Sequence, residues 1–359
     1  MLARLGRLMR GMTVEPGAQD SLRVQDVADP HPGPGELLVD ALSVGVCGTD
    51  REIATGQYGW APPHRTRLIL GHESLGRVAR TVAGSDFTVG DLVAGVVRRP
   101  DPVPCGACAL GEFDMCRNGR YRERGIKELD GYGSEQWCVE AGYATKVDPE
   151  LESVGVLIEP TSVVAKAWEQ VYRVGERSWF EPRRVLVTGA GPIGLLAALL
   201  GVQRGLDVHV LDRVTDGPKP ALVRSLGATY HHDPVAEVTR RLCPDVVIEA
   251  TGASPVVVEV MSTTSSYGVV CLTGVSPAGR TVHLDVGALN RDIVLENDAV
   301  VGSVNANLRH YRHAADALAK ADIGWLEGLI SRRVPLHRAR EAFEPRDGDV
   351  KVVIDIEAA

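Results

Sequence analysis

The stretch from Val185 to Gly194, Val-Leu-Val-Thr-Gly-Ala-Gly-Pro-Ile-Gly, constrains this chain more than any other. A short aliphatic run ends in Gly-x-Gly-x-x-Gly at the mouth of a helical pattern, which is the signature of a strand–turn–helix unit. Each glycine meets a separate demand: Gly189 a tight turn, Gly191 the close approach of backbone to a pyrophosphate, Gly194 the packing of helix on strand. Pro192 and Ile193 open the helix, whose unpaired N–H groups and dipole favour an anion. The next strand closes on Leu211-Asp212-Arg213, with Asp212 lying 23 positions past Gly189. A carboxylate there accepts hydrogen bonds from adenosine ribose hydroxyls and repels a 2′-phosphate, which points to NAD. Arg213 beside it can reach a phosphate, so NADP stays open as well.

The texture around that motif sets the architecture. Residues 13 to about 160 are rich in Gly, Pro and short alternating runs such as Glu36 to Val44 and Arg77 to Val82, which predict a partly antiparallel β domain with few helices. From Ser162 to Val174 the spacing turns helical, and six β-runs then alternate with helical or connecting segments: Arg184 to Thr188, Val208 to Asp212, Thr229 to His231, Asp245 to Ala250, Gly268 to Gly274 and Ala299 to Ser303. That alternation predicts an α/β fold with a doubly wound parallel sheet. A helix over Arg309 to Ala321 and a strand over Lys351 to Ile356 follow, and the last strand is expected to return to the first domain.

Composition narrows the function. With 359 residues the chain exceeds what one core usually serves, and its net charge of −8 with scattered Lys and Arg argues against a nucleic-acid surface. Small-molecule chemistry is the default reading. Val185 to Val202 holds 18 consecutive uncharged residues, near the length of a membrane span, but glycines divide it into strand and helix, so no membrane segment is expected. Seven cysteines without a secretory signal fit a reduced, cytoplasmic setting. Met1 to Met12, with Arg4, Arg7 and Arg10 but no long apolar run, reads as a flexible extension or an over-long start, with a short targeting segment as the alternative.

A second cluster carries metal chemistry. Val46-Cys47-Gly48-Thr49-Asp50 and Leu70-Gly71-His72-Glu73 supply a thiolate, an imidazole and carboxylates, a set suited to Zn²⁺ with an open position. The hydroxyl of Thr49, two residues from Cys47, is placed to start a proton relay.

With these motifs the sequence resembles the zinc-containing medium-chain alcohol dehydrogenase superfamily over nearly its whole length. Within it the chain looks like the glucose (aldose) 1-dehydrogenases, through Cys47 to Glu52, Leu70 to Glu73, Arg98-Arg99-Pro100, Tyr121 to Ile126, Leu157 to Pro160 and Gly302 to Ala306, all in the expected order. The resemblance implies a GroES-like catalytic domain over 1–163, a Rossmann domain over 164–304 and a return over 305–359. It implies a catalytic zinc on Cys47, His72 and Glu159, with Glu73 or a water completing the shell. It assigns Thr49, Glu123, Glu159 and Asn305 to sugar hydroxyls or proton relay, and adds Thr251 and Asn305 to the cofactor contacts. The implied reaction is oxidation of an aldose of glucose or galactose type at C1 to the lactone; a polyol, cyclitol or modified-sugar dehydrogenase acting on a secondary hydroxyl is the alternative. A homotetramer or homodimer is expected, with the region from Val294 to Ser303 extending the sheet between subunits.

Cys105-Gly-Ala-Cys108 and Cys116 resemble the superfamily's four-cysteine structural-zinc lobe with its first cysteine missing; Pro102 stands in its place, and Asp101 is the expected oxygen ligand. A metal-free lobe is the alternative. Cys138, Cys243 and Cys271 read as core residues, and His231-His232 has no ligand spacing. Lys166, seven positions past Glu159, has no evident role.

Overall fold

The structure is a computed structural model and describes residues 8–277, 279 and 281–356. The chain divides into two compact units, one running up to Glu159 and resuming at Asn305, the other covering Pro160–Val304.

The first unit is built on a seven-stranded mixed sheet whose long central strand is Glu36–Val46. Its alternation is visible in the burial of Leu37, Val39, Ala41 and Val44, which pack with Val78, Val93, Val352 and Ile354 into one core. Strand Glu73–Arg80 pairs antiparallel on one side of it. On the other side Lys351–Asp355 pairs antiparallel, with Val352 opposite Val46, and also runs parallel to Ile330–Pro335. The last strand is therefore an interior strand of the sheet that carries Cys47. A smaller sheet contains Leu8–Val14, which pairs with Arg23–Ala28 in six consecutive positions. This corrects the expected extension over Met1 to Met12: Met9, Gly11 and Thr13 turn inward while Leu8 and Arg10 face solvent. The cation that suggested an extension sits on the wet face of a strand, 3.5 Å from Asp26. Arg4 and Arg7 lie outside the described residues.

The second unit holds six parallel strands in the spatial order Thr229–His231, Asp207–Leu211, Arg184–Thr188, Val246–Glu249, Val269–Leu272 and Ala299–Gly302. Counted along the chain this is 3-2-1-4-5-6, the doubly wound order, and it reverses beside Arg184–Thr188. The central strands are unbroken apolar runs because helices cover both faces. Helix Pro192–Gln203 is buried from Gly194 through Gly201, so it is apolar all round. No helix among the described residues is long and apolar enough to cross a membrane. The helix expected from Ser162 starts earlier, at Ile158, which puts Glu159 in its first turn with Pro160 at a tolerated early position.

Candidate active site

Register brings the first cluster together. Gly45 on the central strand lies opposite Glu73 on its neighbour, so Cys47 and His72 emerge side by side at the same sheet end. A Cβ at Gly45 would stand 1.9 Å from Glu73 Oε2, so only glycine lets this carboxylate fold back over the strand. Cys47 Sγ lies 3.1 Å from His72 Nε2. The ligand atoms of His72, Glu73 and Glu159 lie within 4.8 Å of one another, and so do those of Cys47, Asp50 and His72. Thr49 sits half-buried in the same first helical turn, between Cys47 and Asp50.

Two residues outside the expected set organise these groups. Asp50 accepts the Cys47 backbone N–H at 3.0 Å through Oδ2, and its Oδ1 is 3.2 Å from His72 Nδ1. This leaves Nε2 for the cluster, the usual way a carboxylate orients a ligating imidazole. Lys351, from the returning strand, places Nζ 2.6 Å from both oxygens of Glu73, with both side chains buried. The signal for Asp50 was its spacing of three from Cys47. Lys351 had none, being 278 positions from Glu73.

The electrostatics call for a cation. Burial would push the His72 imidazole down, but Asp50 and Cys47 hold it well above its ordinary value. Burial likewise opposes a charge on Lys351, and Glu73 and Cys47 override it and raise its pKa. Burial drives the Glu159 carboxyl up to about 7; His72 works against this and Glu73 adds to it. Three carboxyl groups and a thiol thus converge on one lysine and one imidazole. A sulfur, nitrogen and oxygen donor set short of positive charge fits Zn²⁺.

Glu123 and Asn305 come together in the same unit. Glu123 is buried rather than exposed among the neighbouring arginines, and its Oε1 accepts Asn305 Nδ2 at 2.6 Å and Arg98 Nη2 at 2.9 Å. Asn305 itself holds a left-handed φ of 63°, uncommon for a residue with a side chain.

In the second unit the glycine turn has the expected form. Gly189 has φ 94°, and a Cβ on Gly194 would stand 1.8 Å from Gly189 O, whereas one on Gly191 would meet nothing within 4 Å. Gly191 caps the helix that Pro192 and Ile193 begin. Asp212 already accepts the Ala190 N–H at 2.7 Å and the Val214 N–H at 3.3 Å, and Lys219 Nζ stands 3.7 Å from it. Arg213 is exposed. Thr251 is held by Glu249, which accepts its backbone N–H at 2.7 Å. Lys166 is buried and donates to Val304 O at 2.9 Å.

The second thiol group is smaller than expected. Cys105, Cys108 and Cys116 converge, with Cys105 Sγ 3.6 Å from Cys108 Sγ, but Asp101 does not join them. Its Oδ1 accepts the Val103 N–H and its Oδ2 accepts Asn118 Nδ2 and Arg120 Nε, so its lone pairs are engaged elsewhere. Backbone N–H groups, that of Arg117 foremost, pull the Cys105 thiol down to about 6. Of the three cysteines read as core, only Cys271 is fully buried. Cys138 is half-buried, and Cys243 is exposed at a left-handed helix cap with φ 44°.

A mixed β unit with a thiolate–imidazole–carboxylate cluster, joined in one chain to a unit with a dinucleotide turn, defines the dehydrogenase class. Residues 33–149 match the alcohol dehydrogenase GroES-like domain, and residues 152–356 match the family described as glucose dehydrogenase C-terminus. The glucose 1-dehydrogenase of Methanocella arvoryzae is 41% identical over 361 residues, covering 98% of this chain and 100% of that protein. That of Thermoproteus tenax is 42% identical over 357 residues, covering 97% and 100%. The structure of Haloferax mediterranei glucose dehydrogenase in complex with NADP, Zn and gluconolactone superposes with a TM-score of 0.90 at 32% identity, covering 98% and 100% of the two chains. The chain belongs to the glucose 1-dehydrogenase family of zinc-containing medium-chain dehydrogenases.

Proposed function

We propose that this chain oxidises an aldose of glucose or galactose type at C1, passing hydride to NAD(P) and releasing the lactone. The observation that carries this is the pair of triads that share His72, Cys47–Asp50–His72 and His72–Glu73–Glu159. Its relatives' shared name and a neighbour's bound gluconolactone, the product of C1 oxidation, support the substrate class.

Cys47, His72 and Glu159 would hold the zinc, with Glu73 or a water beside them. Zinc there supplies the Lewis acidity that lets a sugar hydroxyl lose its proton near neutral pH. A bound NAD(P) would supply the hydride acceptor for C1, and with the hydroxyl proton leaving to solvent the sugar would lose two electrons and two hydrogens. Asp50 keeps the His72 ring turned; Lys351, bonded to both of its oxygens, keeps Glu73 folded back. Thr49 offers the first hydroxyl of the proton path. Glu123 and Asn305 take the sugar's other hydroxyls. In the second unit Gly189, Gly191, Pro192, Ile193 and Gly194 receive the pyrophosphate, and Asp212 and Thr251 flank the adenosine side. Arg213 and Lys219 would serve a 2′-phosphate, so both cofactors are expected to work, NAD being favoured by Asp212.

Cys105, Cys108 and Cys116 are proposed as a second, three-thiolate zinc site. A homo-oligomer, tetramer or dimer, is proposed; an interface is supported by helix Val286–Glu296, which has no buried residue and exposes Val286, Val294 and Leu295 next to the edge strand Ala299–Gly302. Free thiols throughout fit a cytoplasmic setting.

The test follows NADH and NADPH absorbance with aldoses, polyols and simple alcohols, together with metal analysis. Glucose or galactose should lead, chelation should abolish turnover, and added zinc should restore it. A better rate on a polyol or cyclitol would overturn C1 oxidation. About two zinc per chain would mean a filled thiol lobe and about one would leave it empty.

A further inference from the structure

Arg98 and Glu123 face each other as an antiparallel pair, and both are buried. A guanidinium usually meets a carboxylate with two parallel bonds, one to each oxygen. Here Arg98 Nε at 3.1 Å and Nη2 at 2.9 Å both donate to Oε1, and Asn305 Nδ2 donates to the same oxygen at 2.6 Å. Oε2 accepts none of the three. Arg98 is anchored from behind: Nη1 donates to Asp114 O at 2.9 Å, and the guanidinium carbon lies 3.7 Å from the centre of the Tyr121 ring. The Asn305 amide is fixed as well, because its Oδ1 accepts the Ala306 N–H at 2.7 Å and so turns Nδ2 toward Glu123.

We propose that Arg98 is the positioning residue that makes Glu123 a one-oxygen acceptor: it saturates Oε1 and leaves Oε2 to take a single sugar hydroxyl at a carbon other than the one oxidised. This rests on the reading of Glu123 as a sugar contact. An ionised carboxylate oxygen only accepts, so the substrate must bring an O–H to that point. A sugar lacking that hydroxyl leaves a buried charged acceptor unpaired, a stronger penalty than the loss of an ordinary hydrogen bond. Arg98 thereby sets specificity without touching the substrate.

The experiment compares wild type, R98K, R98Q, E123Q and the R98Q/E123Q double variant on D-glucose and its 2-, 3- and 4-deoxy analogues. Wild type should reject one deoxy sugar by roughly thirtyfold in kcat/KM, the scale of a hydrogen bond to a charged group. R98Q should raise the glucose KM about tenfold, leave the cofactor KM unchanged and flatten that preference, with R98K partly restoring it. The double variant should be no less selective than E123Q alone. Retained deoxy-sugar rejection in R98Q, or a loss equal for every sugar, overturns the role of Arg98 while E123Q still reports on Glu123. A silent E123Q overturns the sugar contact and this inference together. If R98Q does not fold, the same ratios in R98K decide.

Discussion

The nucleotide turn and the metal-competent cluster solve the problem of holding a charged ligand in opposite ways. The turn is made of backbone: Gly189 to Gly194 are contiguous, and what matters is the absence of side chains. The cluster is made of side chains drawn from Cys47, Asp50, His72, Glu73, Glu159 and Lys351, and what matters is where their charges stand relative to one another. A backbone site is broken by adding atoms and a side-chain site by removing them. The thiol lobe, like the cluster, is made of side chains, but its donors are the three thiols of Cys105, Cys108 and Cys116.

Removal from the cluster should have the largest effect. H72A takes away the side chain shared by both triads, and if His72 holds the metal as proposed, activity should fall at least about a thousandfold, since a bound metal contributes several kcal/mol to the barrier. Bound zinc measured on the same sample should fall with it; an active, zinc-replete H72A would break the reading of the site. K351M tests the supporting charge. Leaving Glu73 buried without its partner should cost of the order of 3 kcal/mol in urea unfolding, and E73Q in the same chain should recover most of it. Additive losses would show that the pair is not coupled.

Addition to the turn should discriminate between two glycines. In G194A the new methyl meets Gly189 O at 1.8 Å, so strand and helix must part. Overpacking of this kind should cost about 2 to 3 kcal/mol of stability. G191A adds its methyl where nothing lies within 4 Å, so stability should hold while cofactor Kd rises about tenfold. Similar stabilities for the two variants would remove the distinction.

The same contrast explains what could be read from the sequence. The turn was legible to the residue because its geometry is local, and the six parallel strands fell within two residues of their expected ends. Of the cluster, Cys47, His72, Glu73 and Glu159 were legible through motifs, but the groups that neutralise them were not. Lys351 reaches Glu73 only through the pairing of Lys351–Asp355 with Glu36–Val46, a relation between chain ends that no local pattern carries. Asp101 was misplaced for a related reason: adjacency to the missing cysteine could not reveal that Val103, Asn118 and Arg120 already occupy its oxygens. The strand Leu8–Val14 was hidden because its alternation lasts only from Leu8 to Arg10 before four consecutive buried positions, too short a pattern to mark a strand.

The two units also hold histidines of opposite character, with the smallest expected effect. His72, beside Asp50, has its pKa raised, whereas His231 stacks on His209, with His209 Nδ1 2.9 Å from His231 Nε2. Burial, His209 and Arg241 each push His231 below its ordinary 6.5. A base whose folded pKa is depressed contributes its full stability above the unfolded value. That contribution is lost as pH falls, because the unfolded chain then takes up a proton that the folded pair resists. Wild type should therefore lose stability on going from about pH 7.5 to about pH 5.5, and H231Q should lose less, by an amount small beside the effects above because solvent screens part of the pair. Denaturant midpoints of both proteins at the two pH values measure it. Parallel declines would mean that the stacked pair stores no pH-dependent stability, and that the turn-bearing unit is as indifferent to protons as its backbone chemistry suggests.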